Sequence, residues 1–414
     1  EHLRRGSVPV DQVTYFTVGR ERWLSIIEDD LTNYIAAGGA KVRFLNGDYG
    51  DGKTHFLSVV QHLVQQAGFA VSFVVLTREV PLHKFELLYR EIVSRLSTVA
   101  GTTGLRGLLT HWLESLQPHL GEVPDEATRT VRLEALADTL RSMEGMDLNF
   151  ANGLIALIHN RFRPFKEGET PEAREAERLT LYEWFEGGRL NRSELRQWQI
   201  FESLSKTNSK RLLVSLILLL RHLGYQGLIV LLDELETVLL QSASVRNAAY
   251  ENVRLLIDNA EQGHHLHVFF SIIPDVLLAD KGFKSYDALW SRVRSVGESH
   301  RLNYRSIVID LHRTPLEIPE LRALGQRLRR IHELAYRWDA EAIVTDAFIE
   351  QVCQTQQRMG LLPEVRLFIK QIVRYLDMAE QDGTLEGLDL TDQIIATQKE
   401  IIREKTAQPP AWDA

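Results

Sequence analysis

Cysteine is almost missing from the 414 residues: Cys353 stands alone, so no internal disulfide can form and a reducing cytoplasm is the expected setting. Long apolar runs are missing too. The richest stretch, 212–220, is broken by Ser215 and followed by Arg221 and His222, well short of the roughly 18 residues of a membrane span. Residues 1–5 lack the apolar core of a secretory leader. Positive charge is not in excess: 48 Lys and Arg against 56 Asp and Glu leave a net charge of −8, which excludes a molecule built as a whole to coat nucleic acid. Repeats, low-complexity tracts and Gly-x-Ser-x-Gly elbows are absent, and Cys353 stands in a polar stretch, so nucleophilic serine or cysteine chemistry has no support. His264, His265 and His267 lack companion cysteines or carboxylates at ligand spacing and read as turn and strand residues rather than a metal centre. What remains is an ordinary globular composition, 44% hydrophobic and 25% charged, long enough for two or three compact units.

Against that background Gly47-Asp48-Tyr49-Gly50-Asp51-Gly52-Lys53-Thr54 spells G-x-x-x-x-G-K-T. Residues 42–45 before it read as a short buried strand, and 56–64 after it as an amphipathic helix. A strand, a glycine-rich turn and a helix N-terminus together present backbone N–H groups and a positive dipole end to an anion. The cradle expected to contact a nucleoside triphosphate runs from Gly47 through His55, with Lys53 reaching the β- and γ-phosphates and the Thr54 hydroxyl holding Mg²⁺.

A phosphate loop needs a metal-holding acid on a neighbouring strand. Residues 227–234 supply it, an unbroken apolar run ending in Asp233 and Glu234. Asp233 would hold Mg²⁺ through water, and Glu234 would orient and deprotonate the attacking water. Glu236 reads as a solvated helix-start residue. Further strands are expected at 70–76, 266–273 and 307–311, with helices between them, which predicts a three-layer α/β sandwich around a parallel sheet. The acidic strand follows the second strand at a distance, leaving room for a strand inserted beside the phosphate-loop strand.

These residues resemble the AAA+ ATPases, in particular the branch with the Orc/Cdc6 initiators and the STAND signalling ATPases. Phe16-Thr17-Val18-Gly19-Arg20-Glu21 is similar to the Gly-Arg-Glu box that closes over adenine in that branch. Residues 289–295, Leu-Trp-Ser-Arg-Val-Arg-Ser, resemble its Arg-Val-x-Ser segment, and residues 360–366, ending in Pro-Glu-Val-Arg, its lid motif, in which proline opens a helix. The resemblance implies a P-loop NTPase (AAA+/ASCE) sheet with an all-α C-terminal lid, and ATP with Mg²⁺ as cofactors. It makes Arg366 either a γ-phosphate sensor or a surface arginine. Arg292 and Arg294 become arginine fingers in a homo-oligomer, or structural ion-pair partners. Residues 184–187, 223–227 and 286–292 further resemble the ATP-binding proteins of BREX phage-exclusion systems, which implies an antiviral role beside other phage-defence proteins. One departure is Ile273, where AAA+ proteins place a polar Asn or Thr to position water. Ser271 and Asp275 are the available substitutes, and slow hydrolysis is the implication.

The chain is expected to divide into 1–96 and 211–315 as the two parts of the ATPase core, 97–210 as a helical insertion and 316–414 as the lid. Within the insertion, helices are expected between 105 and 158, at 179–185 and at 196–204, with 167–176 a charged connector. In the lid, helices are expected at 319–337, 345–357, 363–378 and 392–405. Arg322, Arg329, Arg330 and Arg337 make 319–337 the most basic stretch, a solvated face with DNA as the alternative contact. The expected activity is Mg²⁺-dependent ATP hydrolysis, with ATP and ADP states setting affinity for DNA or a protein partner. The competing expectation is a nucleotide-stabilised interaction module or signalling switch that scarcely turns over.

Overall fold

The computed structural model describes residues 10–258, 264–294, 302–361 and 364–407. Ser295, Pro363 and the tail after Ala407, all used in the sequence reading, lie outside them. Six strands form one sheet: β1 (Ala40–Asn46), β2 (Ala70–Val75), β3 (Leu96–Ser97), β4 (Leu228–Asp233), β5 (Leu266–Ile272) and β6 (Val308–Asp310). Their order is β3-β2-β4-β5-β1-β6, all parallel except the short β3, which runs antiparallel beside β2. Two strands, β4 and β5, thus stand between β1 and β2, so the acid-bearing strand lies one strand away from the strand that launches the phosphate loop.

Strict alternation along the strands fills both faces of the sheet, as a central parallel sheet requires. Leu45, Val71, Ile229, Leu231, Phe269 and Ile309 point to one face. There they meet Trp23 and Ile27 of α1 (Glu21–Asp30) and Phe56, Leu57, Val60 and Val64 of α2 (Lys53–Gln66). Val42, Phe44, Val74, Val230, Leu232, Val268 and Phe270 point to the other.

The second face carries α3 (Phe85–Ser94), α9 (Ser209–His222) and α10 (Ala243–Asp258). The helices between α3 and α9 continue that core: α4 (Gly104–Ser115), α5 (Glu126–Ser142), α6 (Leu148–Phe162), α7 (Pro171–Phe185) and α8 (Arg192–Arg196). Leu109, Leu133, Phe150, Leu181 and Phe185 belong to one continuous apolar cluster with the strand residues.

Two helix assignments need correction. Residues 171–176 begin α7 instead of a connector, because Thr170 accepts from the Ala173 N–H and Pro171 fits the first helical position. Residues 197–204 are turn and coil instead of helix. Gln199 there has a positive φ of 57°, and the Phe201 N–H goes to the Asn149 side chain rather than up a helix.

After β5 come α11 (Pro274–Leu278) and α12 (Asp287–Val293). The last four described helices are α13 (Ile318–Tyr336), α14 (Asp346–Arg358), α15 (Val365–Asp382) and α16 (Leu390–Ala407). Leu321, Leu324, Leu328, Ile349, Phe368, Tyr375 and Leu376 make a separate core, and Phe16 and Val18 from before α1 are built into it. Cys353 is fully buried there instead of lying in a polar setting; burial pushes its thiol up to about 11 and makes it inert. No described helix is long and apolar enough to cross a membrane.

Three of the four arginines that made 319–337 basic pair with acids, while Arg337 is exposed. Arg329 is buried instead of solvated and pairs with Asp346 at 2.9 Å and Glu341 at 3.2 Å. Arg322 pairs with Glu350, Arg330 with Glu333, and Arg327 donates to the Thr17 carbonyl.

The histidines diverge. His264 Nδ1 lies 3.3 Å from the Gly38 carbonyl and His265 Nδ1 3.0 Å from the Ile35 carbonyl, while His267 is fully buried in β5 against Phe269. Neither ring nitrogen of His267 has a hydrogen-bond partner, and burial holds its pKa well below 6.5. The unfolded chain therefore binds a proton near pH 6.5 that the native state refuses, and native stability falls as pH drops below that point. His267→Leu is expected to gain about 1–2 kcal/mol by removing two unsatisfied polar atoms. In urea melts, its lead over the parent should widen between pH 7 and pH 5; a lead that stays constant would show that the ring is not the neutral passenger described here.

Candidate nucleotide site

The phosphate loop leaves β1 at Asn46 and enters α2 at Lys53. Gly52 caps α2 with φ 87°, a left-handed conformation that costs glycine little and other residues about 1–2 kcal/mol. A Cβ at Gly52 would meet nothing within 4 Å, so backbone shape and not space requires glycine there. Beyond it the first-turn N–H groups of α2 have no partner inside the helix and face the loop, the geometry that binds phosphate oxygens. The loop is braced by its own acid: the Asp48 N–H donates to Asp51 Oδ2 at 2.7 Å, and His312 Nδ1 lies 3.2 Å from Asp48 Oδ2. Lys53 is 8% exposed and donates to the carbonyls of Gly47 at 2.8 Å and Asp48 at 3.1 Å.

The two halves of the site meet directly. The Thr54 hydroxyl donates to Asp233 Oδ2 at 2.8 Å, joining the start of α2 to the end of β4. Asp233 is buried, and its other oxygen accepts from Ser271 of β5 and from the Glu234 N–H at 3.1 Å. Ser271, wholly buried in the strand between, in turn accepts from the Glu234 N–H at 2.9 Å. These bonds hold Glu234 in a left-handed conformation, φ 62° and ψ 43°, which turns its side chain out of the strand line. Such strain persists only where surrounding bonds over-determine it. Although the Glu234 side chain reaches solvent, loss of hydration at the site raises its pKa above the usual carboxylate range. The Asp233 charge adds to the shift and Lys53 opposes it.

Ser271 therefore steadies the acidic pair. Asp275 is exposed on α11, and Ile273 is half-buried just before it. A hydroxyl inside an otherwise apolar strand was the visible signal for Ser271; its partner was not visible, because register alone decides which neighbour it meets. Glu236 corrects the sequence reading. It is half-buried instead of solvated, and burial raises its pKa, with Lys53 pulling the other way. Burial likewise lowers the Lys53 pKa, and Glu236 is the strongest of the charges that restore it.

Arg20, just before α1, lies near His55 in the first turn of α2. His55 Nε2 lies 3.3 Å from Thr17 Oγ1; burial, then Arg20, pushes its pKa down to about 4, so the ring is neutral at ordinary pH. Arg20 donates to Thr314 Oγ1 at 3.0 Å. Gly19, with φ 64°, abuts the start of α13: a Cβ there would collide with Glu320 of that helix and with Leu316 just before it.

The remaining sequence candidates lie elsewhere. Arg292 on α12 is engaged within its own chain: it pairs with Asp258, which Arg254 also holds, the ion-pair alternative of the sequence reading. Arg294 is exposed just after that helix. Arg366 is the second residue of α15 and half-buried.

No curated protein and no solved structure matches the chain. Residues 1–393 match the family described as BREX system ATP-binding protein BrxC/D. With the match spanning the sheet, the helices packed on it and most of the C-terminal helical core, the chain belongs to the BrxC/D family of BREX system ATP-binding proteins.

Proposed function

We propose that the protein is an Mg²⁺-dependent ATPase acting as a regulatory or loading subunit in phage defence. The observation that carries this reading is the Thr54–Asp233 hydrogen bond, which unites a phosphate cradle with an acidic strand end. The hydroxyl and the carboxylate form a hard-oxygen donor pair that suits Mg²⁺, which when bound would neutralise charge developing on the phosphates. Lys53 then turns from loop carbonyls to the β- and γ-phosphates, and Glu234 takes a proton from water. Thr17, Arg20 and the neutral His55 border the base, and Arg366 reports the γ-phosphate to the helical lid. The division into 1–96, 97–210, 211–315 and 316–414 fits this assignment, with the two core segments building the cradle. The pairing of Arg322, Arg329 and Arg330 lowers the positive charge that α13 presents, which favours a protein partner over DNA.

Calorimetry with ATP in the presence of Mg²⁺ tests the reading. Lys53→Ala is expected to weaken binding about thirtyfold or more, the loss of charge-assisted bonds to phosphate. Equal heats from the parent and Lys53→Ala would remove the cradle from the function. A second reading, a nucleotide-held interaction module with little turnover, draws on Ile273 and on Ser271 being spent on Asp233, which leaves neither of them free to position water.

A further inference from the structure

The direction of the Glu234 side chain is set by bonds made to its backbone. β4 ends at Asp233, and an extended continuation would send the next side chain to the opposite face of the sheet. Glu234 instead takes φ 62° and ψ 43°, a region that residues other than glycine, asparagine and aspartate seldom enter. Two acceptors meet the N–H that this turn presents: Ser271 Oγ at 2.9 Å and Asp233 Oδ1 at 3.1 Å. Ser271 closes the triangle by donating its own hydrogen to the same Asp233 oxygen. Register puts it there. Leu232 of β4 pairs with Phe270 of β5, so the next residues along, Asp233 and Ser271, stand side by side. Ser271 is wholly buried and Asp233 nearly so, and bonds in such a setting are stronger than the same bonds in water.

We propose that Ser271 is a positioning residue for ATP hydrolysis: it fixes the left-handed turn at Glu234 and so sets the direction from which that carboxylate meets the attacking water. Its one hydrogen is spent on Asp233 and its oxygen on the Glu234 N–H, so it acts through those two residues. The nucleotide cradle does not depend on it. Thr54 holds the other Asp233 oxygen, Oδ2, at 2.8 Å, and Lys53 bonds the Gly47 and Asp48 carbonyls. Binding and turnover therefore part at this hydroxyl: its loss leaves the cradle standing and loosens the base. Glu234→Gln cannot imitate that effect, since it changes the carboxylate and keeps the turn.

Positioning by Ser271 rests on the hydrolysis reading of the site, and one set of measurements separates the two. Single-turnover release of labelled phosphate and calorimetry with ATP and Mg²⁺ are compared for the parent, Ser271→Ala, Glu234→Gln and the double variant, with thermal melts to establish that each folds. Ser271→Ala is expected to slow release about tenfold or more, the equivalent of one charge-assisted hydrogen bond, with ATP affinity within a fewfold of the parent. Added to Glu234→Gln, it should cost less than about threefold further, because the group it aims is already gone. Losses that multiply in the double variant would mean a general structural role and overturn the proposal. So would unchanged release by a folded Ser271→Ala, or affinity lost in step with turnover. If the alanine variant fails to fold, Ser271→Cys replaces it, with a weaker donor and an intermediate rate expected; a rate equal to the parent's would count against the hydroxyl. A folded parent that binds ATP and releases no phosphate would overturn the hydrolysis reading itself, and the task of Ser271 with it.

Discussion

Glu234→Gln is expected to lower steady-state phosphate release at least about a hundredfold while leaving ATP affinity within a fewfold of the parent. The substitution keeps the side chain's size and the backbone N–H that bonds Ser271 and Asp233, so the strained turn at the end of β4 should survive it. What it removes is a carboxylate whose pKa is raised by loss of hydration and by the Asp233 charge, the group proposed to take the proton from water. Thr54, Asp233 and Lys53 are untouched, so binding persists and only the chemical step fails. Phosphate release is measured under saturating ATP, and calorimetry supplies the affinity. Low release in the parent, unaltered by Glu234→Gln, would favour the interaction-module reading and retire Glu234 from the mechanism.

Asp30→Ala should produce the largest loss of stability, about 3–5 kcal/mol. Asp30 is 5% exposed at the end of α1 and bonds Arg43 at 2.5 Å and Lys41 at 2.7 Å. Arg43 is wholly buried in β1, with its other nitrogen on the carbonyls of Tyr304 and Ser306. Deleting the carboxylate strands a guanidinium inside the sheet, four residues before the phosphate loop. Urea unfolding measures the loss, which should appear as a lower midpoint at unchanged slope. The paired substitution Asp30→Leu/Arg43→Met removes both charges and should restore most of the stability, as replacing a buried pair by apolar groups commonly does. A double variant as unstable as Asp30→Ala would show that the cost is packing and not an orphaned charge.

The contrast between these two sites explains what could be read from sequence. The candidate nucleotide site was legible because its pattern is written in consecutive residues: glycines where positive φ is needed, Lys53-Thr54 at a helix start, Asp233-Glu234 after an apolar run. The strand positions followed from the same apolar runs. Asp30–Arg43 was hidden, since an arginine inside an apolar strand does not announce its partner 13 residues earlier. The turn at 197–204 escaped for a related reason: apolar residues at helical spacing there fill a core without making a helix. Glu236 was misjudged because its burial is a matter of loop path. Arg329 looked like a solvent residue because its two acids, Glu341 and Asp346, come from the turn and helix start that follow α13.

The box at 16–20 has a mechanical consequence. Phe16 and Val18 are embedded in the C-terminal helical core and Arg327 grips Thr17, while Thr17 touches His55 on the sheet side and Arg20 holds Thr314 in the connection between them. The covalent path between those two bodies, from Leu311 to Glu317, runs alongside. Two ropes moored side by side allow a door to swing about the line through them yet resist twisting, so any travel of the helical body should be a one-axis rotation that drags residues 16–20 across the face of His55.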